Sequence, residues 1–162
     1  MLILDTDIVS AFAKADALNL ILKLFKSEIY ITPEVYEELQ VPLSYGYMYP
    51  KEIFDKVKVL DLTPEEQRSY RDMLNKNINL GKGELESISV CIERDCTFSS
   101  LDKNAIKFAE KRKVKVIVLK AILKGLWRNK VCSEKEVRDL VNKIEEKDNR
   151  TIDIEGVFDD KD

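Results

Sequence analysis

Asp5, Glu38, Glu84 and Asp102 are the residues of this chain whose types and spacing could do chemistry together. The 162 residues include no histidine. That excludes Ser-His-Asp and Cys-His nucleophiles, His-ligated zinc and imidazole general bases. Chemistry here must run on carboxylates, lysines, hydroxyls or a metal held by oxygen. Four converging carboxylates repel one another unless protonated or neutralised, and a hard divalent cation neutralises them. Oxygen-only ligation suits Mg2+ or Mn2+ rather than zinc. Such ions activate water and stabilise a displaced oxyanion, which are the requirements of phosphodiester hydrolysis.

The elements that would position these acids are legible as changes of hydrophobic period. Short apolar runs at residues 2–4, 29–31, 96–100 and 114–119 read as strands, with a weaker edge strand at 57–60. The run 114–119 is apolar apart from Lys115, as expected of a strand covered on both faces. Helical periodicity occupies residues 15–25, 33–40, 64–75, 82–94, 104–113, 121–129 and 134–147. Thr63-Pro64-Glu65-Glu66 and Ser133-Glu134-Lys135-Glu136 are helix starts, a capping hydroxyl followed by early acids. Residues 41–50, rich in Tyr, Gly and Pro, read as a loop. Strands alternating with helices predict an α/β fold of three α/β/α layers around a mainly parallel sheet of about five short strands. In such sheets ligands bind beyond the carboxyl ends of the strands. Asp5 ends the first strand and Asp102 follows the fourth.

Helical geometry sorts the glutamates. Advancing about 100° per residue, Glu84 falls inside the apolar arc of Leu85, Ile88, Cys91 and Ile92, while Glu86 and Glu93 face water. Glu38 lies on the border of the arc of Val35, Tyr36 and Leu39, and Glu34 and Glu37 point further away. Each acid also has a plain structural reading. Asp5 ends a strand, Asp102 caps a helix, Glu84 complements a helix dipole and Glu38 is solvated. Asp7 either joins the site or caps the helix after it, and Glu86 replaces Glu84 if the helical register shifts.

Composition bounds the setting. The length fits one compact unit, divided as residues 1–130 and a C-terminal helix with acidic tail at 131–162. No apolar run nears the roughly 18 residues of a membrane helix. Three cysteines without metal-ligand spacing point to a reducing, cytoplasmic compartment. The net charge of −3 conceals ten Lys or Arg against one acid in residues 103–130, and five acids against one lysine in residues 151–162. The basic block is either a solvated surface or a nucleic-acid footprint. Trp127, with Ile122, Leu123 and Leu126, reads as core packing, or alternatively as a partner surface.

In these motifs the chain resembles the PIN-domain ribonucleases, the prokaryotic kind that includes VapC-type toxins, over about residues 1–125. The resemblance rests on Leu2-Ile3-Leu4-Asp5-Thr6-Asp7, on Thr32-Pro33 followed by Glu38-Leu39, on Gly81-Lys82-Gly83-Glu84-Leu85-Glu86-Ser87-Ile88, and on Ser100-Leu101-Asp102-Lys103. Asp5, Glu38, Glu84 and Asp102 match the family's acidic positions, and Thr6 and Ser100 match supporting hydroxyls. Glu84 stands where many members carry Asp, and Asn104 where some carry a further acid. The resemblance implies metal-dependent endonuclease cleavage of RNA, with Asp5, Glu84 and Asp102 as ligands of Mg2+ or Mn2+. Lys103 and Lys107 are candidates for holding the RNA backbone. It further implies a homodimer and, for toxin members, a small antitoxin partner. The acidic tail could then mimic nucleic acid and shield the basic face.

Two other readings fit parts of the chain. Residues 2–9 also match the opening of haloacid-dehalogenase-like phosphatases, where Asp5 would be the nucleophile. A non-catalytic PIN-like scaffold that binds RNA or protein is the second.

Overall fold

Leu2, Ile3 and Leu4 alternate across the central strand, and that alternation divides the core in two. The computed structural model describes residues 1–26, 28–76 and 78–159, so Asp160, Lys161 and Asp162 of the acidic tail lie outside the described residues. Five strands form one parallel sheet: β1 (Leu2–Leu4), β2 (Ile29–Ile31), β3 (Lys58–Val59), β4 (Thr97–Ser99) and β5 (Lys115–Val116), in the order β3-β2-β1-β4-β5. Leu2 pairs with Ile29 on one side and Thr97 on the other, and Leu4 pairs with Ser99.

The helices are α1 (Thr6–Lys14), α2 (Leu18–Phe25), α3 (Pro33–Ser44), α4 (Tyr49–Lys56), α5 (Pro64–Asn75), α6 (Lys82–Arg94), α7 (Lys103–Lys111), α8 (Leu119–Arg128) and α9 (Glu134–Asp148). Leu2, Leu4, Ile29 and Ile31 share one core with α1, α2, α8 and α9. Ile3 and Phe98, on the opposite sheet face, pack with Ile88 and Cys91 of α6 and Ala105 and Ala109 of α7. The expected three-layer α/β/α architecture is the one observed.

Several local expectations need correction. The helix expected at residues 15–25 is α2 alone, because Asp16 adopts a left-handed φ of 55° between α1 and α2. The preceding helix α1 escaped a periodicity reading because it is short and mostly apolar, and its one polar edge, Asp7, Ser10 and Lys14, faces a cleft rather than open solvent. The expected loop at 41–50 is mostly helical: α3 runs through Pro42 to Ser44, and α4 begins at Tyr49. The expected strand at 114–119 shrinks to Lys115–Val116 at the sheet edge, with Lys115 exposed, since Leu119 already begins α8.

The segment after α9 folds back on the body. Val157 is fully buried, Phe158 meets Trp127 edge-on at 5.7 Å, and Lys120 pairs with Asp153 at 3.0 Å. Trp127 thus packs under the chain's own end. No described helix is long and apolar enough to cross a membrane.

Candidate active site

The chain runs β1, β2, β3 in one direction and returns to place β4 on the other side of β1. Such a reversal opens a crevice at the strands' carboxyl ends. Asp5 and Ser100 stand there, the residues directly after β1 and β4, and the Asp5 N–H donates to Ser99 O at 3.0 Å. A cavity of about 670 Å3 at this point is walled by Asp5, Asp7, Glu38, Glu84 and Asp102.

Each acid is fixed by a local device. Asp5 caps α1, accepting the Thr6 N–H at 2.8 Å on Oδ1 and the Ser100 hydroxyl at 2.9 Å on Oδ2. Glu38, on α3, accepts the hydroxyl of Thr6 and the Gly83 N–H, the latter at 3.0 Å. Glu84 lies in the first turn of α6 and reaches back to the Gly81 N–H at 2.8 Å. Asp102 caps α7 through the N–H groups of Asn104 and Ala105, at 2.6 and 2.9 Å. Ser100 joins the strand ends, since its Oγ also accepts the Asp102 N–H at 3.0 Å. Every one of these acids caps or ties a helix while walling the cleft, and Glu38, which the plain reading would leave solvated, is held by two bonds.

Asp7 is brought to the same cleft, its carboxylate accepting the Leu101 N–H at 3.1 Å. The signal for it was present in Asp5-Thr6-Asp7, but its side could be assigned only once α1 was seen to start at Thr6. Glu86 is not in the cleft and does not face water. It is buried and accepts the Glu34 N–H at 2.7 Å, capping the start of α3.

Crowding shows in the acids' proton affinities. Burial, then the charges of Asp7 and Glu84, hold the Asp5 carboxyl well above the usual carboxylate range, against the opposing bonds of Ser100 and Thr6. Burial likewise raises Asp7, with Leu101 and Arg150 opposing and Asp102 adding to the rise. Glu84 is raised by burial and by Asp102, Asp7 and Glu38, against the Gly81 bond. The acids feel one another.

The end of α9 closes the cleft, an element that sequence reasoning left outside the site. Lys147, Asp148, Asn149 and Arg150 line it, and Asp148 takes Lys14 at 2.8 Å and Arg150 at 3.4 Å. Arg150 also borders a neighbouring groove of about 510 Å3 that holds Lys103, Lys107 and Lys120.

The family model for the PIN domain matches residues 1–154. The chain belongs to the PIN-domain family. No curated protein and no solved structure matches it. PIN domains are generally nucleases and typically use divalent metals. Membership reads the Asp5-Thr6-Asp7 start as a PIN-domain β1-to-α1 junction, in place of a phosphatase nucleophile motif.

The donor set of this PIN domain, hard carboxylate oxygens that repel one another, fits the chemistry of a hard divalent cation. As the side chains stand, no three acidic or cysteine residues among those described are gathered to grip one. The reason is visible in the bonds above: each carboxylate is turned to an N–H or hydroxyl of the protein.

Proposed function

We propose that this PIN domain is a metal-dependent endoribonuclease that hydrolyses RNA phosphodiester bonds at the Asp5, Glu38, Glu84 and Asp102 cleft. The observation that carries the reading is one cleft, at the carboxyl ends of β1 and β4, that five carboxylates line and that a lysine-rich groove borders. An acidic centre beside a cationic path is the combination that phosphodiester hydrolysis requires, because the backbone is held by cations and cut where charge must be neutralised.

Asp5, Glu84 and Asp102 would hold Mg2+ or Mn2+, which when bound lowers the cost of forming hydroxide and of added charge on phosphorus. The chain's own groups do the rest. Ser100 and the Thr6 N–H orient Asp5, and Thr6 and Gly83 fix the carboxylate of Glu38. Lys103 and Lys107 bind flanking phosphates from the exposed face of α7. Arg150, between cleft and groove, holds the phosphate nearest the acids. A homodimer, a reducing cytoplasmic setting for the three free cysteines and a toxin role with a small antitoxin complete the proposal.

The test is cleavage of labelled single-stranded RNA with Mn2+ or Mg2+ by wild type, Asp5→Asn and Asp102→Asn proteins prepared identically. Cleavage that needs metal and disappears in both variants supports the reading. Equal cleavage by all three exposes a contaminant. No cleavage, with no carboxylate-dependent Mn2+ binding, makes the chain a PIN-like scaffold. Growth arrest on expression, relieved by a neighbouring small protein, would separate a toxin from a processing enzyme.

A further inference from the structure

We infer that the tyrosine-lined hollow between α3, α4 and the end of α9 is a base-binding subsite for single-stranded nucleic acid whose backbone crosses the carboxylate cleft. The inference rests on the nuclease reading and adds to it a place where a base of the strand is held.

The hollow, about 510 Å3, is walled by Lys14, Pro42, Tyr47, Tyr49 and Lys147. Lys14, Tyr49 and Lys147 wall the acidic cleft as well, so the two spaces adjoin. Arg150 links the cleft in the same way to the groove of Lys103, Lys107 and Lys120. The acidic cleft thus has an aromatic neighbour on the Lys14, Tyr49 and Lys147 side and a lysine-bearing neighbour on the Arg150 side. A strand whose backbone lies over the acids could rest one end against the tyrosines.

Folding does not account for the aromatic end. Tyr47 is 61% exposed and its neighbour Tyr45 80%, although both could have been polar at no cost to the core. The Tyr49 ring is engaged, with Lys14 Nζ 5.2 Å from its centre. Tyr47 stands 6.4 Å from Tyr49, inclined by 58°, and offers the open ring. An exposed aromatic ring in a hollow that Lys147 also walls suits an unstacked base and its phosphate. A duplex keeps its bases stacked within the helix and offers none to a tyrosine. Val41, Tyr45, Tyr47 and Met48 also form an exposed apolar patch that a second copy of the chain could cover. Lys147 in the wall, with Lys14 already held by Asp148, and the adjoining acidic cleft favour the nucleic acid.

The test measures binding of a short fluorescein-labelled single-stranded oligoribonucleotide, and of its duplex, by anisotropy. The proteins are full-length Asp5→Asn and the same protein carrying Tyr47→Ala or Tyr47→Phe, each checked for an unchanged melt. Tyr47→Ala is expected to weaken single-strand binding roughly tenfold or more and leave the duplex alone, with Tyr47→Phe restoring affinity. Equal single-strand affinity with and without Tyr47→Ala overturns the subsite. So does a dimer that Tyr47→Ala dissociates while RNA affinity holds, which assigns the patch to a second copy. If wild type still cleaves RNA in either case, the subsite alone has failed. A wild type that neither binds nor cleaves RNA removes the nuclease reading together with the subsite.

Discussion

Glu38 Oε1 accepts the backbone N–H of Gly83 at 3.0 Å, and that bond ties the middle of α3 to the first turn of α6. A Cβ at Gly83 would stand 2.8 Å from Glu38 Oε2 and 2.9 Å from Oε1. The glycine is there for the carboxylate and not for the backbone, which is helical at this position.

Gly83→Ala therefore separates site from fold. Only the tip of a flexible side chain has to move, and alanine is the better helix former by up to about 1 kcal/mol. We expect stability within about 1 kcal/mol of wild type and RNA cleavage reduced about tenfold or more. Urea unfolding and a cleavage assay on one preparation check both halves. Full cleavage by the variant would show that the placement of Glu38 is immaterial.

Asp5→Asn should stabilise the metal-free protein. The substitution removes a charge that burial, Asp7 and Glu84 all oppose, and it keeps an oxygen for the Thr6 N–H. For a chain of this size each kcal/mol of relieved repulsion raises the melting temperature by roughly 2–4 °C. Mn2+ should then raise the melting temperature of wild type more than that of the variant. Thermal melts with and without Mn2+ decide. A lower melting temperature for metal-free Asp5→Asn would mean that the bond from Ser100 outweighs the repulsion.

The parts of this arrangement legible in sequence are those set by local chemistry. Leu2-Ile3-Leu4 followed by Asp5, and the run at 96–100 followed by Asp102, announce strand ends, which is why the sheet and its acids could be anticipated. Helix α1 could not, because its polar edge of Asp7, Ser10 and Lys14 faces the cleft and the rest of it is buried. The wheel misassigned Glu86 for a related reason: α6 is wedged between the sheet, α3 and α5, so its supposed solvent side meets the start of α3. Arg150 and Asp148 reach the cleft through the packing of α9 on α1, a long-range relation that no local period encodes.

Acid should loosen the junction of α5 and α6 through Glu66. Its side chain is buried, and burial alone would raise its carboxyl. The Arg94 guanidinium, 2.9 Å from Oε2, and the Thr63 N–H at 2.7 Å outweigh that and lower it. A lowered folded value gives stabilisation that is complete above the unfolded value, about 4.3, and is lost as pH falls through the folded one. Glu66→Gln should flatten the fall in stability between about pH 5 and pH 3. Urea unfolding across that range measures it, and an unchanged slope would assign the acid sensitivity to other carboxylates.

Helix α9 should prove inseparable from residues 1–130. Val137, Leu140, Val141 and Ile144 are buried in the same core as Leu2, Leu4 and Ile8, and Val157 beyond the helix is fully enclosed. The Lys14–Asp148 pair at 2.8 Å fastens the same helix to α1 beside the acids. Ile144→Ala should cost about 2–4 kcal/mol, the range for emptying a buried aliphatic site. Trp127, the chain's one tryptophan, packs against Phe158 and reports the transition, which should be single and coincide with far-UV circular dichroism. Residues 1–130 expressed alone should fail to melt cooperatively, because the apolar face under α9 would be left in water. A cooperative melt of that fragment near the wild-type temperature would make the C-terminal segment an accessory, and Arg150 with it.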